Sequence, residues 1–141
     1  MRFSFRTIIL FSALIAYSCA GNDNGKKETL TEAGGNAIIT FSSLEHDFGK
    51  IAEGEKVGTI FTFSNSGDGN LVIASATTSC GCTVPEYSNK PVRPGETGTL
   101  EVVFDSSHRE GKQTKTITVR SNADKPVVIL KITADIVTNN N

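Results

Sequence analysis

The chain has no tryptophan, and only 7% of its 141 residues are aromatic, so no large aromatic recognition surface is built into it. It has no block of basic residues, which argues against nucleic acid as a partner. Its N-terminal apolar run, Ile8 to Ala16, falls short of the ~20 residues that a membrane-spanning helix needs. No helical stripe is visible in the rest of the chain. A catalytic set is missing too. No paired carboxylates stand out. Asp47-Phe48-Gly49 has no Gly-rich phosphate loop, strand lysine or catalytic-loop motif to make it part of a kinase. Ser106, Ser107 and His108 are neighbours without a nucleophile elbow, whereas a triad brings separate groups together with an orienting acid. The expectation is a protein that is not an enzyme.

What is present begins with an address. Arg2 and Arg6 precede the Ile8–Ala16 run, and Tyr17, Ser18 and Cys19 follow it. Basic region, short apolar region and cut site in that order describe a secretory signal over residues 1–18. The closing cysteine resembles a bacterial lipobox, although Tyr17 stands where that pattern has a small residue. The resemblance implies that Cys19 is acylated and anchors the chain to a membrane. The plainer alternative is a secreted protein cut near Ala16 or Ala20. Ala20 follows the cysteine where, in the enterobacterial lipoprotein rule, an Asp marks retention at the inner membrane, so the resemblance implies an outer-membrane lipoprotein facing the periplasm. Removing residues 1–18 removes Arg2 and Arg6, leaving 14 − 2 = 12 basic against 15 acidic residues, a formal charge of −3.

Residues 19–36 are polar and Gly-rich without apolar periodicity and read as a lipidated N-terminus with a flexible tether. Residues 37–138 form one domain, and 139–141 a disordered tail. Within the domain every apolar segment reads as strand. Val57, Thr59, Phe61 and Phe63 alternate with Gly58, Ile60, Thr62 and Ser64. Leu71, Ile73 and Ser75 share a face, as do Leu100, Val102 and Phe104, then Ile117 and Val119, then Val128, Leu130, Ile132, Ala134 and Ile136. Ile38 to Leu44 makes a first strand. Turn signals separate these runs at Ser66–Gly69, Arg93–Gly95, Glu110-Gly111 and Asn122–Asp124. A further strand between Thr83 and Lys90 is confined to a sheet edge by Pro85 and Pro91. The fold expected is all-β: an immunoglobulin-like antiparallel β-sandwich of about seven strands.

The order His46-Asp47-Phe48-Gly49, Phe61 to Gly67, Leu71-Val72-Ile73, Cys80-Gly81-Cys82-Thr83, Pro94-Gly95, Val102-Val103-Phe104 and Val119 to Asn122 resembles a bacterial domain family of unknown function. Its members are often small lipoproteins. That family is similar to immunoglobulin-like domains of the sperm-protein and cilium-associated type. The resemblance implies a fold and a cell-envelope location, and brings no established activity.

One constellation carries chemistry. With Cys19 acylated, Cys80 and Cys82 remain as a pair flanking Gly81. Three readings stay open. They could form a disulfide, since Cα atoms two residues apart can fall within ~4.4–6.8 Å when the backbone bends. They could bind copper or zinc through converging thiolates. They could be two small buried residues. If alternate loops share a pole of the sandwich, His46 and His108 join Cys80 and Cys82 there, the composition of a zinc site. Asp47 is expected to cap a loop, Gly49 to turn it and Phe48 to plug the end of the core. The functional expectation is a non-catalytic binding or assembly module with an envelope protein as partner and no cofactor. The competing class is a thiol-redox or copper/zinc-binding protein working through Cys80 and Cys82.

Overall fold

The computed structural model describes residues 35–138. Cys19, the signal segment, all but the last two residues of the tether, and residues 139–141 lie outside the described residues. Eight strands follow one another: β1 (Ile39–Phe41), β2 (Glu45–Ala52), β3 (Lys56–Asn65), β4 (Ile73–Thr78), β5 (Thr83–Tyr87), β6 (Thr97–Asp105), β7 (Gly111–Ser121) and β8 (Val127–Val137). They form two four-stranded sheets, β1-β3-β6-β5 and β2-β8-β7-β4. This is the strand order of an immunoglobulin-like sandwich.

The core lies where the alternation places it. Phe61 and Phe63 of β3 and Leu100, Val102 and Phe104 of β6 face Ile117 and Val119 of β7 and Leu130, Ile132, Ala134 and Ile136 of β8, all buried. Each large apolar side chain taken out of water contributes ~1.5–3 kcal/mol. β5 is an edge strand, paired only with β6. Pro85 has no N–H to donate and is accommodated there.

The expected all-β immunoglobulin-like sandwich is what forms, with eight strands, and one pairing departs from antiparallel, because β2 runs parallel to β8. The eighth strand and the parallel pair come from one event. The first strand does not continue to Leu44; it changes sheets. Ser42 N–H still donates to Thr62 O at 2.9 Å in the first sheet, while Leu44 O accepts from Lys131 N–H at 2.8 Å in the second. The segment expected as a loop, His46 to Gly49, is therefore strand. It hid from periodicity because its apolar alternation is interrupted. The register shifts between Asp47 and Lys50, where Gly49 takes a φ of 69°. Asp47 still acts as expected: its Oδ1 accepts from Gly49 N–H at 3.0 Å. Phe48 is half-buried against the core.

Asn36, just before the strands, is bonded to the sandwich. Asn36 N–H donates to Asp68 Oδ1 at 2.7 Å, and Asn36 O accepts from Asp68 N–H. At the same pole buried Asn65 joins three segments. Its amide donates to Gly69 O and Val92 O at 2.7 and 2.9 Å, and its Oδ1 accepts from Gly67 N–H and Ile38 N–H.

Candidate functional site

Cys80 and Cys82 are joined by a disulfide, with Cα atoms 5.4 Å apart. They lie in the short connection between β4 and β5, at the pole opposite Asn36 and Asn65. Both cysteines are half-buried and Gly81 is exposed. A Cβ at Gly81 would meet nothing within 4 Å, so one flank of the bond is open. The frame around it is fixed. Thr78 Oγ1 lies 2.7 Å from Cys80 O and 3.1 Å from Thr83 O. Asp105 N–H donates to Cys82 O at 2.9 Å. Thr83 is buried, 3% exposed, and its Oγ1 lies 3.9 Å from each of the two sulfurs.

The two histidines do not join this pair. His46 is on β2, and in the ladder its level runs across β8 and β7 to the end of β4. It sits at the opposite edge of the sheet from the cysteines, three inter-strand spacings of ~4.8 Å away. Its ring stands edge-on to Phe48, centroids 4.6 Å apart. His108 is exposed in the β6–β7 turn with a φ of 59°, and its N–H donates to Glu53 Oε1 at 2.8 Å. Among the described residues no group of three or more His, Cys, Asp or Glu is placed to hold a metal ion. The set of Cys80, Cys82, His46 and His108 expected to share one pole is thus not assembled. For His46 the reason is the strand exchange that turns the first loop into β2. Ser106 is also no nucleophile candidate. It is fully buried, and its hydroxyl lies 2.8 Å from the carbonyl oxygens of Ala52 and Glu55.

Periodicity alone does not reveal a second feature. β1 pairs with β3 only over Phe63–Asn65 before the chain leaves for the other sheet. Beyond the bond from Ser42 N–H to Thr62 O, no strand among the described residues pairs with that flank of β3 over Lys56–Phe61. A cavity of about 170 Å³ lies beside it, lined by the Ser42–His46 crossover and Thr59–Thr62. Ile60, 61% exposed, stands on the outer face of this open stretch. The signal was present in Ile60, an isoleucine on the polar side of an alternating strand.

Two carboxylates near the ends of the sandwich are held ionised. Asp105 has its pKa lowered to about 2, first by hydrogen bonds from the Ser107 side chain and N–H, then by Lys56, whose Nζ is 3.3 Å away. Asp47 is lowered by the Gly49 N–H and then by the Thr133 hydroxyl.

Known proteins of this shape differ widely. A protein of unknown function from Porphyromonas gingivalis W83 is 21% identical with a TM-score of 0.63; the match covers 76% of this chain and 50% of that one. The chain therefore spans about half the length of that protein. The ASH / PapD-like domain 7 of human CEP192 matches with a TM-score of 0.60 at 7% identity, over 72% of this chain and 87% of the domain. The VesB protease of Vibrio cholerae matches with a TM-score of 0.56 at 16% identity, over 69% of this chain and 31% of the protease. At such identities the likeness is one of fold alone. Among curated proteins none matches the sequence. The family described as protein of unknown function (DUF1573) matches residues 39–136, nearly the whole sandwich, and the chain belongs to it.

Proposed function

We propose that this chain is a cell-envelope lipoprotein, anchored through an acylated Cys19 in the outer membrane and facing the periplasm. Its immunoglobulin-like domain then acts as a non-catalytic binding or assembly module for an envelope protein. The observation that carries the binding role is the flank of β3 that no strand among the described residues covers. Backbone donors and acceptors at an open sheet edge are a template for an added strand. Here the edge is bordered by a groove that can take side chains and by exposed Ile60. The ligand this geometry suits is an extended segment of a partner polypeptide. The Arg2, Arg6, Ile8–Ala16 and Cys19 pattern supports the anchor.

A photo-crosslinking residue placed at position 60 tests the reading in intact cells. It should capture a defined envelope protein, and the same probe at exposed Lys125 should not. Equal capture at both positions, or none at position 60, overturns the edge as the binding surface.

A further inference from the structure

A bond between cysteines only two residues apart closes almost no loop, so it removes little unfolded-state entropy and is a poor stabilising device. It is nevertheless framed with care. Thr78 and the Asp105 N–H hold the backbone on both sides of it. The Gly81 flank is open to an incoming group. Among the described residues the hydroxyl of buried Thr83 has no hydrogen-bond partner except the two sulfurs, and it is equally far from both. A hydroxyl is a weak partner for a neutral disulfide and a strong one for a thiolate.

We propose that the Cys80–Cys82 disulfide is a thiol-exchange site that accepts two electrons from a partner polypeptide carrying two reduced cysteines, with the Thr83 hydroxyl stabilising the thiolate released. A partner thiolate approaches from the Gly81 side and bonds to one sulfur. The Cys80–Cys82 bond breaks, and its electron pair leaves on the other sulfur, which takes a hydrogen bond from Thr83 Oγ1. The partner's second thiol, deprotonated, then attacks its own half of the mixed disulfide and releases the remaining cysteine. The partner ends with one disulfide, and the two protons of its thiols end on Cys80 and Cys82. The partner is oxidised and this protein is reduced, once per molecule. Equal distances from Thr83 to both sulfurs allow either one to be the leaving group. The frame keeps the two thiols close after opening.

The exchange can be followed with the oxidised full chain and a synthetic reduced peptide holding two cysteines separated by two residues. Mass spectrometry should show the peptide losing two hydrogens as the protein gains two, at least ~10-fold faster than with oxidised glutathione. Thr83→Val should slow the step by ~10-fold or more and move alkylation of the reduced pair to higher pH, while Thr83→Ser keeps both near wild type. Exchange no faster than with glutathione overturns the proposal. So does a folded Thr83→Val protein with unchanged rate and pH profile. If Thr83→Val does not fold, the wild-type rate set against an oxidised Cys-Gly-Cys tripeptide decides. A faster protein supports the site, and an equal or slower one removes it. The assay does not involve the anchor or the β3 edge, so its outcome is separate from the binding role.

Discussion

Asn65 shows how much one side chain can organise. It is fully buried, and four hydrogen bonds tie the start of the domain, the Ser66–Gly69 turn and the segment at Val92 into one knot. Asn65→Ala leaves Gly69 O and the Gly67 and Ile38 N–H groups without that partner, while Val92 O keeps the Leu71 N–H, and unfolding in urea should show a loss of roughly 3 kcal/mol. Asp105 makes a different prediction. Its folded pKa of about 2 lies below the ordinary 3.8, so its contribution is fully present above that ordinary value and is lost as pH falls through about 2. An NMR titration should place its midpoint near the lower value, and Asp105→Asn should lose its destabilising effect in the same window. Neither role was legible in the sequence. Asn before Ser-Gly reads as a turn residue, and the partners that make it a core residue are up to 27 positions away. The Asp105 carboxylate depends on Ser107, two residues on, and on Lys56, which only the fold brings to it. Cys80 and Cys82 were legible as a pair, but their buried neighbour Thr83 was not, since a β-branched residue after them reads simply as the start of a strand.

Among the elements, alternation was a faithful guide wherever a strand buries a complete face. β3, β6, β7 and β8 present the expected residues inward because their apolar positions recur every second residue. β5 was legible through its prolines. β2 was not. Its pairing with β8 lies 85 or more residues away in sequence, and its bulge at Gly49 breaks the period. The placement of His46 failed with it, and so did the grouping of ligands built on that placement. The β3–β6 ladder offers a direct test. Gly98 sits opposite Phe63, and a Cβ there would run into the ring. The ring is buried and packs on Phe41, centroids 5.4 Å apart, so it has little room to yield. Gly98→Ala should cost ~1–3 kcal/mol through overpacking. Phe104→Ala, which empties a fully buried site near the other end of the same sheet, should cost ~3–5 kcal/mol. Thermal unfolding of the two variants against wild type checks both values.

For the molecule as a whole, the disulfide should prove dispensable to folding. Replacing both cysteines by serine should change stability by no more than ~1 kcal/mol, because so short a loop restrains the unfolded chain very little. A loss comparable to that of Phe104→Ala would show the bond to be a structural staple instead. The proposed anchor has its own test. Intact-mass analysis of membrane-extracted protein should show residues 19–141 plus a lipid increment, and Cys19→Ala should release the protein from membranes under a carbonate wash. The overall plan of the sandwich was legible in the sequence, because it follows from alternation and turns. The open stretch of β3 was not, because it is defined by the want of a neighbouring strand among the described residues.

The described residues begin at one pole and the disulfide closes the other, and strands of 9 to 11 residues separate them. At ~3.3 Å per residue that is a stalk of ~30 Å. From Cys19 to Gly35 there are 35 − 19 = 16 residues, which reach at most ~55 Å when fully extended. With the proposed lipid at Cys19, the chain enters the sandwich at the end away from the disulfide, so a polypeptide held at the sulfurs would not have to pass the point of attachment.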